Sequence, residues 1–554
     1  MGTIFFNEIN NRSNPPNEFE SNTKCNSNEQ GEKNSDKEKE PQTKSTSLQI
    51  RQRKCRCGMV PLIVSGVIFL AMGLLSVKFT ITDMILSERL KMHPWAPAYK
   101  LWLEPQPEVR LNVYIFTVEN ANEFLNGTDS KIKMKEIGPI AYREYLHHQD
   151  VVHHDNSTLS YTAFRRIEFL PHANIPGILN KTITVPNFAV LAAASFVNEY
   201  NYFIQIGYKF LHKTYSDGLF INITVYDYLW NYKSKLIEKA EELMPSMVPT
   251  TNCGVLHGIY AYGPDRYNVK IGTKYGDSQF FQINTVNGAP TVPGYDVENG
   301  DCYASVENST EGAMYRQRIT KGSVLTFWRK ALCRTVDLHF EKEMQNHNIL
   351  TYKYTLSPDM FDRKPSNETD CYKGKYGELP NGLTDVSKCY FNMPFAASQP
   401  HFYGRSEGFA KKFEGLSANE ESHSCFTIVE PTIGAPMIQA ARSQLNLVIP
   451  KFGSLFEKDY QLFSDMILPM FWLEFSQKDL TAEIIQMVGF VANVLPTVEV
   501  ALTCFLFLVG FTLTLTAFVK LFNAKWKHLA KNRNINFPFA QRGIKPDSNC
   551  DTFK

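Results

Sequence analysis

Two long uncharged stretches stand near the two ends of the chain. Met59–Val77 has 19 residues without a charged side chain, and Val500–Val519 has 20. At a rise of about 1.5 Å per residue, each would form a helix roughly 30 Å long, which matches the hydrocarbon thickness of a bilayer. The first stretch differs from a cleaved signal peptide, because a long polar segment precedes it and no small-residue cleavage site follows. The pattern therefore predicts two transmembrane helices.

Between the two stretches, the apolar pattern is mainly that of short strands. Runs of β-branched and aromatic residues are separated by Gly, Pro and Asn. Two helical stretches interrupt these runs. Phe188–Leu211 would be apolar or aromatic around most of its circumference, and Val225–Met244 is amphipathic. The region between the two uncharged stretches is long for a single hydrophobic core, so the predicted elements alone favour two lobes. The predicted strands are Leu111–Val118, Gly138–Leu146, Arg166–Pro171, Thr351–Leu356 and Gln444–Ile449.

Charges beside the two stretches predict the orientation. Four basic residues lie between Arg51 and Arg56, and five lie between Lys520 and Arg533. Because basic flanks favour the cytoplasmic side, both termini are expected in the cytoplasm. Glu499 is interpreted as an interfacial residue, with a buried transport charge as the alternative. The predicted organisation is a disordered tail at 1–57, a first span at 58–79, an ectodomain at 80–483, an interfacial approach segment at 484–499, a second span at 500–519 and a cytoplasmic tail at 520–554.

Sequons and cysteines agree with that orientation. Six of the seven N-x-[ST] sequons lie in the ectodomain, and only Asn11 lies in a tail. Six of the eleven cysteines also lie in the ectodomain, which is typical of disulfides in an oxidising compartment, but their pairing stays open. Cys55 and Cys57, among basic residues beside the first span, are candidates for S-palmitoylation, with unmodified thiols as the alternative. The expected glycosylation sites are Asn126, Asn156, Asn180, Asn222, Asn308 and Asn367.

The overall charge excludes one class of function. Lys and Arg total 58 and Asp and Glu total 56, which gives a formal net charge of +2. A nucleic-acid-binding protein that works through a global basic field is therefore not expected. The sequence contains no G-x-x-x-x-G-K-[ST] motif, so nothing indicates ATP-driven pumping, and no cofactor is expected.

A set of strings between the spans matches, in order, the motifs of a known family. They include LWLEPQPEVRLNVYIFTV at Leu101–Val118, KEIGPIAYREY at Lys135–Tyr145, VPNFAVLAAAS at Val185–Ser195, LCRTVDLHFE at Leu332–Glu341, MPFAASQPHFYG at Met393–Gly404 and LPMFWLE at Leu468–Glu474. Together they resemble the class B scavenger receptors, also called the fatty-acid translocase family. The resemblance implies a mainly β fold with α. Two transmembrane helices would flank an antiparallel β-barrel-like ectodomain with a helical apex and a hydrophobic tunnel. A single ectodomain of this kind replaces the two lobes that the length of the region favoured.

The resemblance also implies a function and the residues that perform it. A receptor of this family, not an enzyme, would bind fatty acids, sterols, carotenoids, pheromones or lipoproteins at its apex and pass hydrophobic ligands to the membrane. Lys213 matches the apex lysine of the family, and Lys209 lies one turn earlier. A cation there would attract carboxylates or anionic lipoprotein surfaces, with a solvated lysine as the alternative. Phe203 and Phe210 are candidates for apolar contact, although packing within the helical bundle is favoured for both.

Pairings, partners and location follow from the same resemblance. Cys302–Cys371 and Cys333–Cys389 match two family bridges, and the remaining pair Cys253–Cys425 is expected to bond, with two free thiols as the alternative. The expected partners are lipids, lipoproteins or lipid-carrier proteins, and a second copy of the chain. The C-terminal tail lacks the acidic dileucine signal of the lysosomal family member, which favours the plasma membrane.

Other interpretations have weaker support. His147, His148, His153 and His154 suggest a metal site, since His147 and His153 would share one face of a strand, but the nearby sequon favours plain exposure. GRSEG at Gly404–Gly408 fits the G-x-S-x-G of hydrolases, yet no α/β alternation surrounds it. An adhesion or phagocytic receptor with incidental lipid transfer is the main functional alternative. A trimeric two-span ion channel shares the hairpin topology.

Overall fold

The computed structural model describes residues 43–105, 109–215, 218–248, 250–261, 263–295, 302–365, 368–409, 411–478 and 480–532. Ile68–Phe511 forms one compact unit, and the described residues before and after it form a second. The α-helices are α1 Thr43–Lys78, α2 Ile81–Leu90, α3 Pro97–Leu103, α4 Ala121–Leu125, α5 Phe188–Asn198, α6 Tyr202–Tyr215, α7 Val225–Trp230, α8 Lys235–Leu243, α9 Val255–Tyr260, α10 Gly276–Gln279, α11 Glu420–His423, α12 Lys458–Gln461, α13 Ala482–Gly489 and α14 Leu495–Asn532. The strands are β1 Val109–Val118, β2 Ile132–His154, β3 Thr158–Phe169, β4 Thr182–Pro186, β5 Phe220–Thr224, β6 Asp265–Lys270, β7 Ile283–Val286, β8 Leu325–Arg329, β9 Arg334–Asn346, β10 Ile349–Leu356, β11 Leu383–Asp385, β12 Phe395–Ser398, β13 Phe413–Glu414, β14 Phe426–Glu430, β15 Ala435–Ile449 and β16 Met466–Gln477.

Most strands join one large, mainly antiparallel sheet. Its hydrogen-bonded order is β7-β6-β3-β2-β1-β16-β15-β14-β10-β9-β8, with β11, β12 and β13 attached beside this path and β4 pairing only with β5. A closed barrel requires the first and last strands of the order to pair. Here β7 and β8 are edges, and the described residues between them form only isolated bridges such as that between Thr310 and Phe327. The sheet is therefore open, which corrects the barrel-like expectation.

Alternation along β1 shows how the sheet faces the core. Leu111, Val113 and Ile115 have no exposed surface, and β1 pairs with β16 on one side and β2 on the other. Side chains two residues apart point to the same side of a strand, so these three enter the core together. The strand predicted at Leu111–Val118 is confirmed, and the other four predicted strands overlap β2, β3, β10 and β15.

Both predicted helices are interrupted in the structure. The stretch Phe188–Leu211 forms α5 and α6, because the Asn201 side chain accepts hydrogen bonds from two following backbone amides and starts a new helix. The stretch Val225–Met244 forms α7 and α8, because Lys233 leaves the helix to pair with Asn252. The break between α5 and α6 gives α6 its own direction and makes it a separate wall of the cavity described below.

Two helical stretches are long and apolar enough to cross a membrane, Met59–Lys78 and Ala482–Lys527. Only 11% and 17% of their most apolar windows is buried, so neither is a core helix. The first helix begins at Thr43, within the predicted disordered tail, and the predicted approach segment is helical as well. A π-helical turn at Phe490–Val494 precedes Pro496, whose ring would clash with a normal helical carbonyl four residues earlier. The remaining parts of both predicted tails lie outside the described residues.

The two long helices approach closely within Ile68–Phe511. A Cβ added to Gly510 would lie 2.8 Å from Leu70 Cγ, so only glycine fits at this position. Glu499 accepts a hydrogen bond from the backbone N–H of Thr82 at 2.5 Å, at the first turn of α2. This contact satisfies one of the free amides at the start of α2, and the interfacial position of Glu499 stays a prediction.

Two disulfides close loops between the spans. Cys302 is bonded to Cys371 and Cys333 to Cys389. Cys253 and Cys425 are free thiols, which corrects the expected third disulfide. They lie apart because Cys253 packs against the cluster around α5 and α8, whereas Cys425 is buried in the cluster around β8 to β10.

Candidate functional site

A cavity of about 220 Å³, here called the helical cavity, lies between α5, α6, α8, α9 and the strands β12, β15 and β16. Its walls are almost entirely apolar, because the inward faces of the amphipathic helices meet the inward faces of the strands. Such a lining accepts alkyl or ring carbon and offers little to a charged group. Representative lining residues are Phe188, Phe196, Ile237, Met244, Phe395 and Met470.

One face of α6 forms part of this wall. Ile204, Tyr208 and Leu211 line the helical cavity at helical spacing. The Tyr208 hydroxyl donates to the Val190 carbonyl and lies 2.9 Å from the Tyr460 hydroxyl. Burial raises the pKa of Tyr208, so it stays neutral and its ring presents an apolar surface.

The opposite face of α6 carries the four predicted apex residues. The side chains of Phe203 and Phe210 are 81% and 68% exposed, so packing within the helical bundle is wrong for both. Lys209 and Lys213 are exposed on the same face. None of these four lines the helical cavity, but they lie on the same helix as the three residues that do.

Two further cavities lie in the same part of the chain, one bordering the helical cavity and the other bordering the first. A central cavity of about 370 Å³ shares four wall residues with it, among them Gly258 and Tyr390. A cavity of about 230 Å³, here called the α13 cavity, shares five wall residues with the central cavity and also contacts Ile484 and Met487 of α13. The three cavities are thus neighbours in series between α6 and the helix that leads into the second span.

An ionic cluster lies in the wall shared by the central and α13 cavities. Arg165 Nη1 is 2.8 Å from Glu144 Oε1, and its Nη2 is 3.0 Å from Glu311 Oε2. Two tyrosine hydroxyls and His148 contact the other carboxylate oxygens. Burial opposes the charge of Glu311, but the hydrogen bond from His148 and the charge of Arg165 outweigh it and lower the pKa of Glu311 to about 2. Both carboxylates therefore remain charged and bound.

A second arginine, Arg329, stands in the same wall without such partners. It lines the central cavity, the α13 cavity and a side cavity of about 40 Å³. Its guanidinium carbon is 4.0 Å from the centre of the Phe475 ring. Among the described residues it has no ion pair and no side-chain hydrogen bond. Burial lowers the pKa of Arg329, because few groups replace the water around its charge.

Sequence patterns gave no sign of these interior residues. Glu144 falls in the matched string at Lys135–Tyr145, but nothing there assigns it a role. Arg165 and Arg329 lie in strands β3 and β8, and no sequence motif marks either residue. Their meeting depends on the order of strands in the sheet, which no local pattern encodes.

The histidine pairs are arranged differently from the expectation. A bulge between Gln149 and Val152 shifts the register of β2 against β3, so His147 and His153 point to opposite sides. His148 is buried against Trp102, with ring centres 4.4 Å apart. No group of metal ligands is found in the described part of the chain.

The other predicted sites lie away from the cavities or outside what the structure describes. The segment Gly404–Gly408 forms a turn with a short 3₁₀ helix, not the strand–turn–helix of a hydrolase. Cys55 and Cys57 lie on α1, and their acylation stays a prediction. Asn367 lies outside the described residues. The five other glycosylation sites are exposed, and their modification stays a prediction: Asn126, Asn156, Asn180, Asn222 and Asn308.

Similarity to known proteins covers most of the chain. The family model of the CD36 family matches residues 62–521. Scavenger receptor class B member 1 of Sus scrofa is 27% identical over 389 residues, which cover 70% of this chain and 74% of that protein. The receptor of the same name from Mus musculus is 27% identical over 419 residues, 74% of this chain and 79% of its own length. Lysosome membrane protein 2 of Homo sapiens is 24% identical over 386 residues, which cover 68% of this chain and 76% of that protein.

Proposed function

This chain belongs to the CD36 family, and from that premise we propose that it is a membrane receptor, not an enzyme, which binds hydrophobic ligands at α6 and passes them through its interior to the bilayer. The observation that carries the proposal is the series of three cavities with shared walls between α6 and α13. The ligands would be fatty acids, sterols, carotenoids, pheromones or lipids delivered by lipoproteins.

The apolar walls supply the driving force. Removing one CH₂ group from water contributes about 0.8 kcal/mol, so an alkyl chain strongly prefers such walls to solvent. Movement toward the membrane would follow the concentration gradient of the lipid and would need no ATP.

The outer face of α6 would capture the ligand. Exposed Phe203 and Phe210 offer apolar contact, and Lys209 and Lys213 offer positive charge to a carboxylate or an anionic particle surface. Large exposed aromatic side chains on a folded surface are typical of interaction sites.

The chain is a membrane protein, and we place it in the plasma membrane with both termini in the cytoplasm. The basic residues outside the two spans support this orientation, and so do the five exposed sequons and two disulfides between them. The region between the spans would then be the glycosylated ectodomain.

Blocking the passage at Gly258 tests the proposal. Gly258 lies in α9, in the wall common to the helical and central cavities, and an added Cβ would meet no atom within 4 Å. The variant Gly258→Trp should fill this junction without strain at Cβ. Cells that express it should bind labelled fatty acid or lipoprotein normally but take up several-fold less lipid. The matched control is Gly322→Trp, at a position that is equally open and lines none of these cavities. Uptake at the wild-type level in a correctly folded Gly258→Trp protein would contradict the passage.

The exposed aromatic stripe of α6 also favours a second function. An adhesion or phagocytic receptor would use Phe203 and Phe210 to contact particles or proteins and would not need the interior. If this second function is correct, Gly258→Trp should leave every activity intact, whereas polar substitution of Phe203 and Phe210 should abolish binding. Purified ectodomain that binds particles but extracts no labelled lipid would support this alternative.

A further inference from the structure

Among the described residues that line the proposed passage, Arg329 is a cation with no ion pair and no side-chain hydrogen bond. We propose that Arg329 binds the ionised carboxylate of an amphipathic lipid partway along the cavities, an inference that rests on the passage proposed above. The site would favour ionised lipids over neutral lipids of the same length, and it would lie apart from the exposed lysines of α6.

The surrounding charges leave Arg329 available. Arg165 already spans Glu144 and Glu311, and the remaining oxygens of these two carboxylates accept from other donors. The hydroxyl of Tyr260 donates to Glu144 at 2.7 Å, and other donors reach Glu311. Neither carboxylate forms an ion pair with Arg329 in the described part of the chain, and Arg329 lines both the central and the α13 cavity.

The position of Arg329 fits a headgroup with a tail. Phe475 stacks against its guanidinium group at 4.0 Å and holds the plane in one orientation. The helical cavity beyond Tyr390 and the α13 cavity beside Ile484 both offer apolar walls for the alkyl chain. A planar guanidinium group binds a carboxylate through two parallel hydrogen bonds, which a neutral ester cannot reproduce.

Equilibrium binding of two probes tests the assignment. Labelled palmitic acid and methyl palmitate would be titrated against the full chain in nanodiscs, with empty nanodiscs subtracted. Wild-type protein should prefer the acid by about tenfold or more, as expected for a charge-assisted hydrogen-bonded pair. In Arg329→Gln this preference should fall to about one while binding of the ester is kept, and Arg329→Lys should keep part of it.

The control is an arginine in a similar aromatic setting outside the cavities. Arg334 stacks on Tyr372 at 4.4 Å and lines none of the three cavities. Arg334→Gln should leave the preference for the acid unchanged. Thermal unfolding of each variant confirms that it is folded.

The outcomes separate this inference from the proposed function. If both probes bind the wild-type chain and folded Arg329→Gln keeps the preference for the acid, Arg329 is not the carboxylate site although the passage stands. If neither probe binds the wild-type chain, the passage and this site both fail. Excess acetate should not displace palmitic acid, because the apolar walls contribute most of its affinity; displacement at comparable concentrations would show a small-anion site instead and overturn the inference.

Discussion

At the scale of single residues, two buried carboxylates stay charged in the wall shared by the central and α13 cavities. Removing a carboxylate from water is costly unless donors replace the water. Glu311 meets this condition with Arg165, Tyr161 and His148, and Glu144 meets it with Arg165 and Tyr260. The cluster therefore fixes β2 and β3 against the segment before β8, at the point where the cavities meet.

The pKa of Glu311 predicts how stability depends on pH. It is lowered from 4.5 to about 2 in the folded chain. A depressed pKa contributes stability above the unfolded value, and this contribution is lost as pH falls from about 4.5 toward 2. The full shift corresponds to about 3 kcal/mol. The melting temperature of the wild-type protein should therefore fall more steeply over this range than that of Glu311→Gln. The control Glu343→Gln, at an exposed ion pair, should follow the wild type, and equal slopes for all three would contradict the prediction.

The free thiols provide a second test at this scale. Burial raises the pKa of Cys253 to about 12 and that of Cys425 to about 11, so both are protonated at neutral pH, and Cys425 is also buried whereas Cys253 lines the helical cavity. In the folded protein a maleimide reagent should leave Cys425 unlabelled and should label Cys253 slowly, and after unfolding without reductant it should label both, as measured by peptide mass spectrometry. Cys302 and Cys333, which are bonded, should react only after reduction. A linked peptide that joins Cys253 to Cys425 would contradict the structure.

At the scale of elements, α6 is apolar on two faces. Its inner face, with Tyr208 and Leu211, is buried at the helical cavity, whereas its outer face exposes Phe203 and Phe210. A surface helix normally has one apolar face directed to the core. The outer face adds nothing to packing within the chain, so its aromatic residues are better explained by contact with a ligand or particle.

Polar substitutions on the outer face of α6 should separate binding from stability. The double variant Phe203→Ser with Phe210→Ser should change the free energy of unfolding by less than about 0.5 kcal/mol, because neither side chain is packed. Its binding of lipid or lipoprotein should fall several-fold in a cell-surface assay. Tyr208→Phe on the inner face is the matched control: it should lose about 1 kcal/mol of stability through its hydrogen bonds and keep capture. Normal binding by the double variant would remove α6 from the capture surface.

Element types were predictable where the local pattern is strong. The strand at Leu111–Val118 followed from its β-branched and aromatic content, and the two uncharged helices followed from their length. The breaks after α5 and α7 were not predicted, because a capping side chain and a long-range bridge decided them against continuous helical periodicity. The bulge in β2 likewise reversed the face expected for His153.

At the scale of the whole molecule, local sequence patterns could not predict which residues line the interior. The resemblance supplied the idea of a hydrophobic passage, but Gly258, Arg165 and Arg329 come from separate elements and meet only through the strand order of the sheet. Lys213 was predicted from the same resemblance and Lys209 from helical spacing; both are exposed on α6, and their role in capture stays a prediction. The chemistry of the cavities depended on long-range register, which neither source supplied.

The proposed orientation of the chain across the membrane predicts which asparagines carry glycans. If both basic flanks are cytoplasmic, the five exposed asparagines of the described sequons face the oxidising side, where oligosaccharides are attached. Replacing each by Gln, one at a time, should remove one glycosidase-sensitive shift in electrophoretic mobility for every site that is occupied. Asn11→Gln should change nothing, because that sequon lies before the first span. A glycan on Asn11, with none on Asn126 or Asn180, would reverse the orientation. It would place α6 and the passage on the cytoplasmic side, where a receptor could not meet ligands from outside the cell.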